Sequence, residues 1–217
     1  MIQIKNLTKV FHSKERDVIA LNEINLNLEE PNFVLIKGAS GCGKSTLLFS
    51  IAGMLRPSSG EIVLNGKNIY GYSEKELLKF RARYIGFVYQ SYYLIPYLDV
   101  LDNILLVNKS HGMVVTEGEV KELAKKFNMQ DRLHHKPAEL SVGEKQRVAF
   151  MRALVVKPKL LLADEPTGNL DPENTKIIMD AFQEFRQGGG TVIMVSHGNE
   201  ADAYADVTIE MKQGKLL

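Results

Sequence analysis

Ile24, Leu26 and Leu28 alternate with Asn25, Asn27 and Glu29, the period-two pattern of a half-exposed strand. A few residues later, Phe33-Val34-Leu35-Ile36 is apolar without a break, which predicts a strand buried on both faces. A glycine-rich segment follows over 38–43, and 44–52 then has a helical pattern. Pro57-Ser58-Ser59-Gly60 predicts a turn, and Asn65-Gly66 between Ile62-Val63-Leu64 and Ile69 predicts a tight hairpin. Ser73 with Glu76, and Thr116 with Glu119, have the spacing of capping boxes that open helices. From 91 to 157 the pattern is mostly helical, with no strand signal. Strand signals return at Leu160-Leu161-Leu162-Ala163, Thr191-Val192-Ile193-Met194-Val195 and Val207-Thr208-Ile209. Asp171-Pro172 opens a helix, with the aspartate as N-cap and proline in the first turn, and Gly188-Gly189-Gly190 stops it. Buried strands alternating with helices predict an α/β fold with a mainly parallel sheet covered on both faces. The early alternating strands predict a separate antiparallel layer, and 91–157 is long enough for an inserted helical subdomain. No repeat or linker divides the chain, so 1–217 is expected to be one domain.

Composition narrows the function classes. The 27 Lys+Arg against 26 Asp+Glu leave a formal charge of +1, without the basic excess of a nucleic-acid binder. An apolar content of 45% excludes disorder, and the single cysteine, Cys42, excludes a disulfide scaffold. The longest stretch without charge, 84–98, contains Gln90, Ser91 and Pro96 and falls short of the roughly 20 apolar residues of a membrane span. Met1-Ile2-Gln3-Ile4-Lys5 lacks the apolar run of a secretory signal. These features predict a cytosolic, reduced protein.

The chemistry begins at Gly38-Ala39-Ser40-Gly41-Cys42-Gly43-Lys44-Ser45, a full match to the phosphate-loop pattern, with Thr46 following. Glycines at this spacing let successive N–H groups turn toward phosphate oxygens, and the helix begun at Lys44 aims its positive end at them. Lys44 can reach the β- and γ-phosphates, and Ser45 can offer a hydroxyl to Mg²⁺. Cys42 has no neighbouring partner for thiol chemistry and is read as a small filler. Leu160-Leu161-Leu162-Ala163-Asp164-Glu165 is an apolar strand ending in two carboxylates. Beside a phosphate loop, Asp164 suits a metal role and Glu165 the general base toward an attacking water.

Guanine recognition is excluded, because its nearest motif, Asn108-Lys109-Ser110-His111, ends in histidine instead of aspartate. Kinase-type enzymes stay open on these two motifs. Leu140-Ser141-Val142-Gly143-Glu144-Lys145-Gln146-Arg147 decides between them. With it the chain resembles the ATP-binding cassette ATPases over essentially its whole length, and a phosphate-loop NTPase core is implied. The resemblance also assigns Gln90 to the glutamine loop, which senses Mg²⁺ and water, and Asn169-Leu170-Asp171 to a loop crossing to a second subunit. It makes His197 the switch histidine and puts Phe11 in the place of an aromatic ring stacked on adenine. Gly168-Asn169-Leu170-Asp171, Tyr93-Leu94-Ile95-Pro96 and Asp102-Asn103-Ile104 look like the lipoprotein-release and macrolide-export branch, whose pattern the cell-division cassette largely shares.

What the resemblance implies is an ATPase that pairs head-to-tail with a second copy around two ATPs. Lys44, Ser45, Gln90, Asp164, Glu165 and His197 of one copy would face Ser141 and Gly143 of the other. Mg²⁺ would be held by Ser45, Gln90 and Asp164. The pair would lie on the cytoplasmic face of the inner membrane and drive export or extraction through a permease on a separate chain. A cell-division-type role, signalling through a membrane partner without transport, is the alternative, and no nucleic acid is expected. Tyr92, Tyr93, Tyr97 and Leu98, just after Gln90, suit the membrane partner's groove. Val142 departs from the glycine of the family signature, and a stiff valine is expected to disfavour positive φ and close approach to phosphate. Gly198-Asn199 stands where an acid commonly follows the switch histidine.

Overall fold

The computed structural model describes residues 2–13, 16–29, 31–109 and 114–217; Met1, and Ser110 and His111 of the failed guanine motif, lie outside the described residues. In chain order the first half runs β1 (Ile2–Phe11), β2 (Val18–Leu28), β3 (Phe33–Lys37), α1 (Lys44–Ile51), β4 (Ser59–Leu64), β5 (Lys67–Asn68), α2 (Glu74–Tyr84) and β6 (Ile85–Val88). The second half runs α3 (Val100–Leu105), α4 (Glu117–Lys126), α5 (Val142–Leu154), β7 (Leu160–Asp164), α6 (Pro172–Gln187), β8 (Thr191–Ser196), β9 (Val207–Lys212) and β10 (Lys215–Leu216).

Two sheets form. One is antiparallel, in the order β2-β1-β4-β5, and the other has the order β10-β9-β3-β8-β7-β6. In the second sheet β9, β3, β8, β7 and β6 run parallel, and only β10 reverses. The unbroken apolar run of β3 serves both faces: Phe33 and Leu35 join a core with the helices α3 to α6. Val34 and Ile36 join the opposite core with α1 and the antiparallel sheet. Asn65 and Gly66, both at positive φ, close the predicted hairpin between Leu64 and Lys67. Both predicted capping boxes are made, Ser73 with Glu76 and Thr116 with Glu119.

Strands β1, β6 and β10 escape the pattern reading. β6 follows α2 without a break, and its Ile-Gly-Phe-Val sequence is short and interrupted by glycine. Gly86 is needed there because a Cβ would lie 2.6 Å from the Ala153 carbonyl oxygen of α5. The parallel order brings the ends of β3, β7, β8 and β6 together at one edge of the sheet, where Gly38, Asp164, His197 and Gln90 follow. Ligand sites form at this carboxyl edge of α/β sheets. Among the described residues no helix is long and apolar enough to cross a membrane.

Candidate functional site

The loop between β3 and α1 has to turn tightly beneath the first strands. Gly41 (φ 77) and Gly43 (φ 112) both hold left-handed backbone. A Cβ on Gly43 would stand 2.2 Å from the Ala20 carbonyl oxygen, and one on Gly38 would stand 2.3 Å from that of Met211. Both glycines therefore allow the backbone to approach neighbouring strands. The half-buried Cys42 is a free thiol, and its carbonyl accepts the Gly214 N–H at 2.9 Å. Lys44 is buried, and its Nζ donates to the carbonyls of Gly38 (2.7 Å) and Ala39 (3.1 Å). The ammonium thus lies inside the curl of the loop, beside the unpaired N–H end of α1, so cation and helix dipole share one sign.

This loop floors an open cavity of about 390 Å³ whose lining includes Lys44, Ser45, Thr46, Gln90, Asp164 and Glu165. The Ser45 hydroxyl donates to Asp164 Oδ1 at 3.0 Å. Burial pushes the Asp164 carboxyl above its ordinary value, and the adjacent Glu165 charge adds to the rise; the Ser45 hydroxyl and Lys44 ammonium oppose it. Glu165 leaves the strand with φ 46, left-handed backbone for a residue that is not glycine, and its N–H donates to the Val195 carbonyl at 3.0 Å. Such a conformation costs roughly 1–2 kcal/mol. On Glu165 Oε2 two groups converge: Gln90 Nε2 donates at 3.3 Å and His197 Nδ1 lies at 3.0 Å. Next to His197, Asn199 Oδ1 accepts Lys37 Nζ at 2.7 Å, and Asp202 Oδ1 accepts it at 2.9 Å. Asn199, where the sequence offered no explanation, ties the histidine loop to the root of the phosphate loop.

Phe11, Gly38, Ala39, Cys42 and His197 border this cavity's residues in the chain or by contact without lining it, and Ser141, Gly143 and Asp171 are absent from its lining too. Ser141 instead caps α5, accepting the Glu144 N–H at 3.2 Å, while its own N–H donates to Glu144 Oε2 at 2.8 Å. Burial raises the Glu144 carboxyl, but Arg132 and the Ser141 donors outweigh it and hold the group at about 2. A Cβ on Gly143 would lie 2.3 Å from Asn174, whose N–H is accepted by the N-cap Asp171 at 2.8 Å. The first turns of α5 and α6 therefore meet. Phe11 is half-exposed, pairs across the ladder with Val18, and has Lys9 Nζ 5.2 Å from its ring centre. Val18, Ile19 and Ala20 line the cavity mouth. The sequence reading missed these three; the available signal was an apolar pair, Val18-Ile19, placed on the exposed start of a strand.

The sequence profile of the ABC transporter family matches residues 21–168. The chain belongs to that family. Over 219 residues it is 42% identical to the lipoprotein-releasing system ATP-binding protein LolD of Aquifex aeolicus (strain VF5), covering 100% of this chain and 96% of that protein. It is 35% identical to the probable syringafactin export ATP-binding/permease protein SyfD of Pseudomonas syringae pv. syringae (strain B728a), with all of this chain matching 34% of that longer one. Among solved structures, the dimeric post-hydrolysis state of the ATP-binding cassette MJ0796 bound to ADP and Pi superposes with a TM-score of 0.92 at 35% identity. That match covers 100% of this chain and 96% of the other.

The cassette is an ABC-type ATPase, and its fold is the expected α/β core with an antiparallel N-terminal sheet and inserted helices. One expectation is corrected. Val142 is the first residue of α5 and has helical backbone, so this position asks for no positive φ and the valine is unstrained. What distinguishes it from glycine is a side chain 46% exposed at the mouth of the helix N-terminus.

Proposed function

We propose that the cassette binds Mg²⁺-ATP on the loop from Gly38 to Thr46, pairs head-to-tail with a second copy, and uses hydrolysis to move a membrane subunit on a separate chain. The observation that carries this reading is the division of the site. Lys44, Ser45, Asp164, Glu165 and Gln90 share one cavity, while Ser141 caps a helix outside it and Gly143 lies in that helix's first turn. A helix N-terminus with a hydroxyl cap suits a γ-phosphate, and a second copy supplies it where one chain does not. Phe11, with Val18 and Ile19, covers the adenine. Asp171 reaches across to the second copy. Residues 91–157 act as a helical subdomain within the single domain 1–217, carrying Ser141 against the partner's nucleotide.

Among the described residues no cluster of three or more acids, histidines or cysteines holds a metal by itself. Mg²⁺ needs no such cage, since one carboxylate, a hydroxyl, phosphate oxygens and water suffice. Asp164, Ser45 and Gln90 fit that donor set and would hold it, and the ion would neutralise phosphate charge. Within the chain, Glu165 takes the proton of the attacking water, Gln90 and His197 orient it, and Lys44 holds the phosphates in place.

The exposed Val142 side chain stands between α5 and the approaching nucleotide, so Val142→Gly should tighten ATP-driven pairing several-fold. Unchanged pairing and turnover in sedimentation and ATPase assays would remove the valine from the account.

A membrane permease partner is supported by the ATP-binding/permease pairing in the name of SyfD and by the exposed ring edge that follows Gln90. Tyr93 and Tyr97 are 64% and 75% exposed, and Tyr92 and Leu98 are half-buried beside them. The cassette then sits on the cytoplasmic face of the inner membrane. Purifying the tagged protein from membranes and assaying ATPase with and without what accompanies it tests the reading. An integral membrane protein that raises turnover is expected, with Tyr97→Ala abolishing the stimulation and sparing basal rate. Recovery without any membrane protein would contradict the role.

A further inference from the structure

Tyr92 (φ 35) and Tyr93 (φ 47) are consecutive left-handed residues, and neither is glycine. Such a pair does not persist unless its surroundings impose it. A local turn, in which the Tyr93 N–H donates to the Ser91 carbonyl, and one distant side chain hold it. Arg152 Nη2 donates to the Tyr92 carbonyl at 2.6 Å and Nη1 to the Tyr93 carbonyl at 2.8 Å. Among the described residues no carboxylate lies within ion-pair distance of Arg152; two carbonyl dipoles serve this desolvated cation instead. Burial pulls the guanidinium below its usual value, in keeping with that setting. The Tyr93 ring adds an edge-on contact with Tyr89, centroids 4.9 Å apart.

The clamp joins two parts of the hydrolysis site. Upstream of the tyrosines, Gln90 Nε2 donates to Glu165 Oε2 at 3.3 Å. Arg152 itself stands on α5, whose first turn is capped by Ser141 about 16 Å away along the helix. The end of α5 is seated on β6, since a Cβ on Gly86 would meet the Ala153 carbonyl oxygen at 2.6 Å. We propose that Arg152 is a positioning residue: by gripping both carbonyls it fixes the loop 90–93 so that Gln90 meets Glu165, and it ties that loop to the helix carrying Ser141. This rests on the reading of Gln90 and Glu165 as hydrolytic groups.

The test combines amide hydrogen exchange with steady-state ATPase on the whole cassette, for the parent, Arg152→Lys, Arg152→Gln, and Arg152→Gln combined with Tyr92→Gly and Tyr93→Gly. Arg152→Gln should speed exchange in the peptide spanning 89–94 at least tenfold, leave α1 and β7 protected, keep ATP affinity within twofold, and lower kcat about tenfold. Arg152→Lys should fall between this variant and the parent. The two glycines accept left-handed backbone freely and should return at least half of the lost kcat. Unchanged exchange at 89–94, faster exchange everywhere, or no recovery with the glycines would overturn the proposal. So would a loosened loop with full turnover; in that case a Glu165→Gln control that is still inactive shows the hydrolysis reading standing on its own.

Discussion

Glu165→Gln is expected to lower ATP turnover by about 10²–10⁴-fold, the range typical of a lost general base, while ATP still binds. Glutamine keeps the size of the side chain and an oxygen to accept Gln90 Nε2, so the cavity retains its shape. What it loses is the capacity to take a proton from water. The left-handed backbone at Glu165, fixed by its N–H bond to Val195, aims the side chain regardless of the headgroup. With hydrolysis stopped, the γ-phosphate stays in place, and the variant should run as an ATP-dependent pair in sedimentation or gel filtration. Turnover at the parent rate would remove Glu165 from the role of base.

Lys44→Ala should weaken ATP binding about 30-fold or more, since removing one partner of a desolvated charge pair costs roughly 2–5 kcal/mol. The present geometry explains why the loss is so local. Lys44 Nζ is held by the carbonyls of Gly38 and Ala39, within reach of the loop N–H groups, so the charge is already placed before phosphate arrives. The apolar anchors of α1, Leu47, Leu48 and Ile51, lie fully buried in the core and are untouched by the change. Titration calorimetry should therefore show lost affinity with a small shift in Tm. Wild-type affinity would mean that the phosphates sit elsewhere.

The two cores were legible because β3, β7 and β8 carry unbroken apolar runs, Phe33–Ile36, Leu160–Ala163 and Val192–Val195, as a doubly covered sheet requires. The caps at Ser73, Thr116 and Asp171 were equally readable, since each depends on contacts within one turn. β6 was not, because its glycine answers to the Ala153 carbonyl of α5, far away in the chain. The phosphate loop and acidic pair could be placed from spacing alone, whereas Gln90, His197, Ser141 and Phe11 needed the family resemblance. The left-handed backbone of Glu165, the Arg152 clamp and the Lys37–Asn199 contact are tertiary, and no local pattern announces them. Val142 shows the reverse case, where a residue preference suggested backbone strain that the helix start does not impose.

The central claim is that each hydrolysis site is built from two copies of the chain. Mixing tests it most directly, using Lys44→Ala, which spoils only the phosphate loop, and Ser141→Arg, which spoils only the cap of α5. Each variant alone should be inactive. In a mixed pair, the intact loop of one copy meets the intact helix cap of the other. The equimolar mixture should then recover up to about a quarter of parent turnover, since about half the pairs are mixed and each has one of two sites whole. A mixture as inactive as its components, with mixed pairs shown to form, would contradict the shared site.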